Sequence, residues 1–103
     1  MADNYYYRKQ IIEIFDFEEG FLAQLEAEEL VHTVEVESGG EQVFPVDQVE
    51  RLRIISNLVR DLEVNLPGVE VILAMRENMI LMQRQFDKIL EALVTELKER
   101  VNQ

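Results

Sequence analysis

The sequence predicts a mainly α-helical protein, in which a winged helix-turn-helix with a small β-hairpin wing precedes one long C-terminal dimerisation helix. Three observations predict this arrangement. Within residues 8–30, apolar residues recur at helical spacing in two short stretches that a tight turn separates. On the N-terminal side of a glycine turn near residue 40, the side chains alternate between two faces, as in a β-strand. After Pro67, apolar residues keep helical spacing almost to Gln103. We therefore predict a winged-helix domain over residues 1–65 and a long helix over residues 66–103.

The first two helices are predicted from their apolar spacing. The first covers residues 8–15, where the apolar positions are Ile11, Ile12, Ile14 and Phe15. Asp16 supplies a turn or cap. The second helix opens near Phe17, and Glu18 and Glu19 place negative charge in its first turn, where the helix dipole favours it. Its buried stripe consists of Phe21, Leu22, Leu25 and Leu30.

The wing is predicted from a change of period after Val31. His32, Val34 and Val36 would face one side of a strand, and the residues between them would face the other. Residues 38–41, Ser-Gly-Gly-Glu, are the strongest turn signal in the chain. A second short strand over residues 42–45 would then place Val43 and Phe44 on opposite faces.

A third helix is predicted to begin at Asp47, which would act as N-cap with Glu50 three residues later. An apolar stripe runs from Val49 to Leu62. Residues 64–67 interrupt it, and Pro67 suits the first turn of the next helix.

The long last helix carries apolar residues at heptad-like spacing. At 1.5 Å per residue, about 35 residues form a rod of about 52 Å, which is longer than a small domain can cover. We therefore expect a homodimer through this coiled-coil-like helix, with folding back as a hairpin as the alternative. Parallel and antiparallel pairing both remain open. The predicted interface consists of Ile72, Met75, Met79, Met82, Phe86, Ile89 and Leu93. Leu97 follows them but is displaced by one position from the heptad spacing.

Acidic side chains are concentrated in the first half of the chain. Residues 1–50 hold 13 acidic and 2 basic side chains, whereas residues 51–103 hold eight of each, so the first half carries the whole net charge of −11. An anionic surface repels nucleic-acid phosphates and attracts basic proteins. A charge run is often only a solvated face, so both a basic protein partner and a plain soluble surface remain open.

No pattern of catalytic residues is visible, and we expect a protein that is not an enzyme. There is no cysteine, and the single His32 lacks metal-ligating companions, so we expect no metal and no cofactor. No stretch approaches the about 18 consecutive apolar residues of a membrane helix, and no signal peptide is visible. We expect a cytoplasmic protein with no membrane partner.

The predicted fold is one that regulators use to bind DNA, but the surface is unsuited to it. The second helix of such a unit reads bases with Arg, Lys, Asn or Gln. Here Gln24 is the only favourable reader among many glutamates, and the predicted wing tip carries Glu37 and Glu41. DNA is therefore an improbable partner.

Two segments resemble a known family. They are VERLRII, residues 49–55, and DLEVNLPGVEVIL, residues 61–73. Together they are similar to the signature of the chaperone-modulator family (CbpM-like), which is related to MerR-type winged-helix regulators. The segment over residues 65–73 is the specific part, and the match before it is a pattern only. MerR-type regulators typically have an arginine in the second helix before an aromatic-acidic pair, and basic residues in the wing. In this sequence Leu25 and Glu26 stand at about that place in the second helix.

The resemblance implies a function. Chaperone modulators of this kind bind the J-domain of a CbpA-like or DnaJ-like co-chaperone and block its stimulation of a DnaK-type ATPase. By position, the predicted partner-binding residues are Glu18, Glu19, Glu26 and Glu29. A face of the helix over residues 47–62, with Arg51, Arg53 and Arg60, is an alternative docking site. The alternative functions are a MerR-like DNA-binding regulator and an oligomerisation adaptor.

Overall fold

The computed structural model describes residues 4–36 and 39–102. It confirms the predicted fold class: four α-helices, a small antiparallel sheet and a long C-terminal helix. The elements in chain order are β1 (Tyr5–Tyr7), α1 (Arg8–Phe15), α2 (Glu19–Ala27), β2 (Val34–Glu35), β3 (Gln42–Pro45), α3 (Val46–Ser56), a π-helical segment (Asn57–Asp61) and α4 (Leu66–Val101).

The chain divides into two compact units, Met1–Val69 and Glu70–Gln103. The first unit contains all elements except most of α4. Its fully buried side chains come from three helices, from β3 and from the start of α4: Ile11, Leu22, Leu25, Val43, Phe44, Leu52, Ile55 and Val69. Burial of these apolar groups is the main stabilising contribution to a domain of this size.

The turn between α1 and α2 lies at Asp16, as predicted. Asp16 adopts a left-handed conformation with φ 54°. This conformation lets the Phe17 N–H donate to the Ile12 carbonyl at 3.2 Å, which satisfies one of the last carbonyls of α1. The same arrangement ends α2, where Glu29 has φ 58° and the Leu30 N–H donates to the Leu25 carbonyl at 2.9 Å.

The sheet has three strands in the order β1-β3-β2, one more than the predicted hairpin. β1 pairs antiparallel with β3, with Tyr6 opposite Phe44. Three consecutive tyrosines favour a strand, but they give no alternation that marks one in the sequence. β2 is shorter than predicted and pairs Val34 with Val43. Glu37 of the predicted wing tip and Ser38 of the predicted turn lie outside the described residues, and Gly39 and Gly40 of that turn both have positive φ.

β3 is the central strand, and both of its faces are covered. Val43 and Phe44 are each 0% exposed. Because neighbouring residues of a strand point to opposite faces, their joint burial agrees with the predicted alternation and shows that both faces are covered in the middle of β3.

The N-cap predicted for α3 was wrong, and so was the buried position predicted for Leu62. Pro45, not Asp47, is the N-cap, and α3 begins at Val46. The pairing of β1 with β3 continues into a hydrogen bond from the Val46 N–H to the Asn4 carbonyl at 3.2 Å, which fixes this start. At the other end α3 changes into the π-helical segment, and Leu62 is 67% exposed rather than part of a buried stripe. A π turn advances the chain by a smaller angle per residue, so the α-helical spacing no longer predicts the buried side.

The start of α4 has a side-chain cap. The Asn65 Oδ1 accepts a hydrogen bond from the Gly68 N–H at 2.9 Å, which satisfies a free donor of the first turn. Pro67 lies in that turn, as predicted, where its missing N–H costs nothing. A Cβ atom on Gly68 would lie 2.8 Å from Val64 Cγ1 and 3.1 Å from Asn65 Oδ1, so the segment packs too closely there for a larger residue.

The second unit consists of the remainder of α4. Every residue from 81 to 102 is exposed. In the part of the chain that the structure describes, no helix is both long enough and apolar enough to cross a membrane.

Candidate protein-binding surface

Arg8 connects α1 to two of the four predicted partner-binding acids. Its Nε lies 2.6 Å from Glu19 Oε1, and its Nη1 lies 2.6 Å from Glu26 Oε1. Glu19 and Glu26 stand seven residues apart on one side of α2, so a single guanidinium reaches both. Two of the carboxylates predicted to bind a partner therefore share an internal counter-charge.

The electrostatics of this bridge are consistent with its geometry. Partial burial lowers the pKa of Arg8, but the hydrogen bonds and charges of Glu19 and Glu26 outweigh that effect, so its pKa is raised. The Arg8 side chain is 34% exposed, so solvent weakens each ion pair.

The other two predicted acids have no such counter-charge. Glu18 is the N-cap of α2, and Glu29 lies beyond its C-terminus. Within residues 4–36 and 39–102, neither of them forms an ion pair. The structure therefore does not bring the four acids together as one cluster: Glu19 and Glu26 share Arg8, and Glu18 and Glu29 stand at opposite ends of α2.

Two concave surfaces lie beside these acids. The first, which we call the Phe21 groove, has a volume of about 310 Å³ and is lined by Asp16, Phe17, Glu18, Phe21, Ser56, Val59 and Arg60. The second, which we call the His32 cavity, has a volume of about 530 Å³ and is lined by Glu26, Glu29, Val31, His32 and Thr33. Sequence reasoning missed the Phe21 groove, because it forms between residues about 40 positions apart in the chain.

The three arginines of the alternative docking face all have internal partners. Arg51 Nε donates to the Leu30 carbonyl at 2.5 Å, and Arg53 pairs with Glu50. Arg60 donates to the Phe15 carbonyl and, at 2.5 Å, to the Asp16 carbonyl. Its guanidinium carbon also lies 5.2 Å from the centre of the Phe17 ring, a cation–π distance. Arg51 and Arg60 thus hold the end of each helix of the helix-turn-helix in place.

The exposed side of α2 offers few groups that could read DNA bases. Gln24, the one favourable reader in the predicted helix, donates from Nε2 to Glu28 Oε2 at 3.0 Å. The other exposed positions of α2 are Glu19, Gly20, Ala23 and Ala27. This helix therefore presents carboxylates and small apolar groups.

His32 and the carboxylates do not form a metal site in the part of the chain that the structure describes, since it contains no group of three possible ligands. The backbone N–H of His32 donates a hydrogen bond to Gln48 Oε1 at 3.0 Å. Gln48 is 6% exposed, so this hydrogen bond connects the start of the wing to the inside of α3.

The predicted dimer-interface residues lie along α4. Ile72 is half-buried within its own chain. The other six are exposed, including Met79 at 67% and Phe86 at 56%. Further exposed apolar residues extend the stripe towards the C-terminus: Leu90, Val94, Leu97 and Val101. A stripe of this kind in water is typical of a surface that another molecule covers.

The helix-turn-helix, the three-stranded sheet and the long last helix define the class of a winged-helix protein. The model of the family described as MerR HTH family regulatory protein matches residues 7–99. The chain therefore belongs to this MerR family. A comparison with curated proteins gives no match.

Proposed function

We propose that this chain is a non-catalytic chaperone modulator of the cytoplasm that binds the J-domain of a DnaJ-like or CbpA-like co-chaperone. By covering the basic surface of the J-domain, it would prevent stimulation of the DnaK-type ATPase. The observation that carries the proposal is that most basic side chains of the winged-helix unit make contacts within the chain and leave its acids in excess. Residues 1–69 hold fifteen acids and five bases, and four of those bases make internal contacts: Arg8, Arg51, Arg53 and Arg60.

The charge distribution supports protein binding over DNA binding. Affinity for DNA rests largely on lysines and arginines that contact phosphates. A winged-helix unit with fifteen acids, and with all four of its arginines engaged internally, is poorly supplied with such contacts. The same surface complements a basic protein helix, and complementary charge increases association rate and specificity.

The resemblance of residues 49–55 and 61–73 to chaperone modulators supplies the identity of the partner. Much of the specific segment has a structural role here, since Asn65 caps α4 and Gly68 allows close packing. It therefore supports the family branch and does not mark the docking surface. We propose Glu18 and Glu29 as the stronger docking acids, because Glu19 and Glu26 already share Arg8.

We also propose that the protein acts as a homodimer through α4. The exposed stripe that begins near Met75 and continues to Val101 supports this, because it is longer and more apolar than a monomer in water normally presents.

Calorimetric titration of the full chain with the J-domain of the DnaJ-like protein from the same genome tests the proposal. We expect binding that weakens about tenfold between 50 and 300 mM NaCl, because salt screens exposed charge pairs. ATPase measurements should show loss of J-domain stimulation. No binding at either salt concentration would contradict the proposal.

Membership of a family of helix-turn-helix regulatory proteins favours a second candidate, a DNA-binding regulator. A mobility-shift assay on the promoter of the chain's own gene distinguishes it from the first. A specific shift without J-domain binding would establish the second candidate, whereas J-domain binding without a shift supports the first.

A further inference from the structure

We infer that the Phe21 groove is the anchor point for the basic partner, and that it takes one lysine or arginine side chain from an amphipathic helix of that partner. The inference rests on the proposed function, because the partner used to test it is a J-domain. The groove and its charges are properties of this chain alone.

The groove has a firm apolar floor. Phe21 and Val59 are half-buried, so part of each side chain faces the cavity. Phe17 beneath them is 5% exposed, and its ring centre lies 5.0 Å from that of Phe21 in an edge-on arrangement. Ordered aromatic groups of this kind are typical of the residues that carry most of the affinity in a protein interface.

The rim of the groove carries two carboxylates, those of Asp16 and Glu18. Asp16 and Glu18 form no ion pair within the described residues. Arg60 lines the same groove, but its guanidinium is directed to the Phe15 and Asp16 carbonyls and to the face of Phe17. The two carboxylates therefore remain available to a cation from outside.

The shape and charge of the groove together select the occupant. A lysine or arginine side chain has an apolar stem and a charged end, and such side chains bury the stem along apolar surface while the charge stays at a polar rim. In the groove the stem would contact Phe21 and Val59, and the charged end would meet Asp16 and Glu18. An acidic or purely apolar side chain would leave one of these two features unmatched.

The His32 cavity is a weaker anchor, although it is larger. Glu26 on its wall is paired with Arg8, and its apolar residue Val31 is 2% exposed, so it offers almost no floor. The π-helical segment next to the Phe21 groove also distinguishes the two, since short π turns are frequent at functional sites.

The test compares two double variants of the full chain that remove the same charge. Asp16→Asn with Glu18→Gln neutralises the rim, and asparagine tolerates the left-handed conformation of Asp16. Glu13→Gln with Glu41→Gln neutralises two exposed acids that do not line the groove. We expect the rim variant to bind the J-domain at least about tenfold more weakly and the control to change affinity less than about twofold, because direct contact between a carboxylate and the charged end of the anchoring side chain is stronger than long-range attraction. Circular dichroism and thermal melting confirm that both variants fold.

The outcomes separate the groove from the proposed function. If the J-domain binds and both variants lose affinity equally, the groove is not the anchor and the proposed function stands. If the wild-type chain does not bind the J-domain, the proposed function fails, and the groove is then tested with a synthetic lysine-rich amphipathic helical peptide. NMR shift changes centred on Phe21 and Val59 that the rim variant abolishes support the groove, and their absence overturns it.

Discussion

Single arginines decide which carboxylates of this anionic protein are free. Arg8 connects α1 to Glu19 and Glu26, and Arg60 connects the π-helical segment to the turn at Asp16. The count of 21 acidic side chains therefore overstates the number of acids that a partner can reach without competition. At the residue scale, Glu18 and Asp16 are better candidates for docking than Glu19 and Glu26, which share Arg8.

Gly68 is the residue where the structure predicts the clearest effect on stability. An alanine there would place Cβ 2.8 Å from Val64 Cγ1. Alanine is the better helix former by about 1 kcal/mol, but the branched Val64 side chain is stiff, and overpacking costs about 1–3 kcal/mol. We expect Gly68→Ala to lower the free energy of unfolding by about 1 kcal/mol, measured by urea denaturation.

A double-mutant cycle checks the cause of this effect. Val64→Ala removes the atom that the new Cβ would meet. On that background Gly68→Ala should be neutral or stabilising, because the helix propensity of alanine then dominates. The same loss of stability on both backgrounds would show that contact with Val64 is not the reason.

At the scale of elements, α4 has two different ends. Its first turn is capped by Asn65 and contains the buried Val69, whereas residues 81–102 are all exposed. A single helix in water gains little stability from its own hydrogen bonds, so a partner helix is expected to hold this half in place.

Phe86→Glu tests the proposed pairing of α4. Phe86 is 56% exposed in one chain, so the substitution should leave the winged-helix unit intact. In a dimer it would place two carboxylates in an apolar seam, which is strongly unfavourable. We expect sedimentation equilibrium to show at least about a hundredfold weaker dimerisation, since a cost of about 1.4 kcal/mol in each of two symmetric copies corresponds to that factor.

Gln85→Glu is the matched control, because it adds the same charge one position away from the predicted interface. It should dimerise like the wild type. A wild-type chain that is monomeric at all concentrations would remove the homodimer from the proposal.

At the scale of the whole molecule, charge repulsion opposes folding. Residues 1–69 hold fifteen acids and five bases, so the folded unit concentrates negative charge. Salt screens this repulsion, which stabilises the folded unit. Salt also weakens the few surface ion pairs, but their contribution to stability is smaller. We expect Tm to rise between 0.05 and 0.5 M NaCl, by about 5 °C for each 1 kcal/mol gained.

Glu13→Lys with Glu41→Lys controls for general salt effects. Both positions are exposed, and the change makes the chain less negative by four charges. This variant should start from a higher Tm and gain less from salt. A wild-type Tm that falls with salt would contradict the dominance of repulsion.

The sequence by itself determined the positions of most helices, the turn at Asp16 and the first turn of α4, because these depend on neighbours a few residues away. The fold class followed from them and is confirmed. The homodimer, the J-domain partner and the docking acids stay predictions. Sequence reasoning missed the third strand, the π-helical segment and the true start of α3, because each depends on pairing with a distant segment or on a local change of helical angle.

The tertiary structure alone decided which charged groups are available to a partner. Arg60 meets the Phe15 carbonyl from 45 residues away, and Arg8 reaches Glu26 across the turn between two helices. A count of charges along the chain cannot show such contacts, because Coulomb attraction depends on distance in space. The Phe21 groove exists only in the folded chain for the same reason. It lies between the turn at Asp16 and the residues at and just after the end of α3.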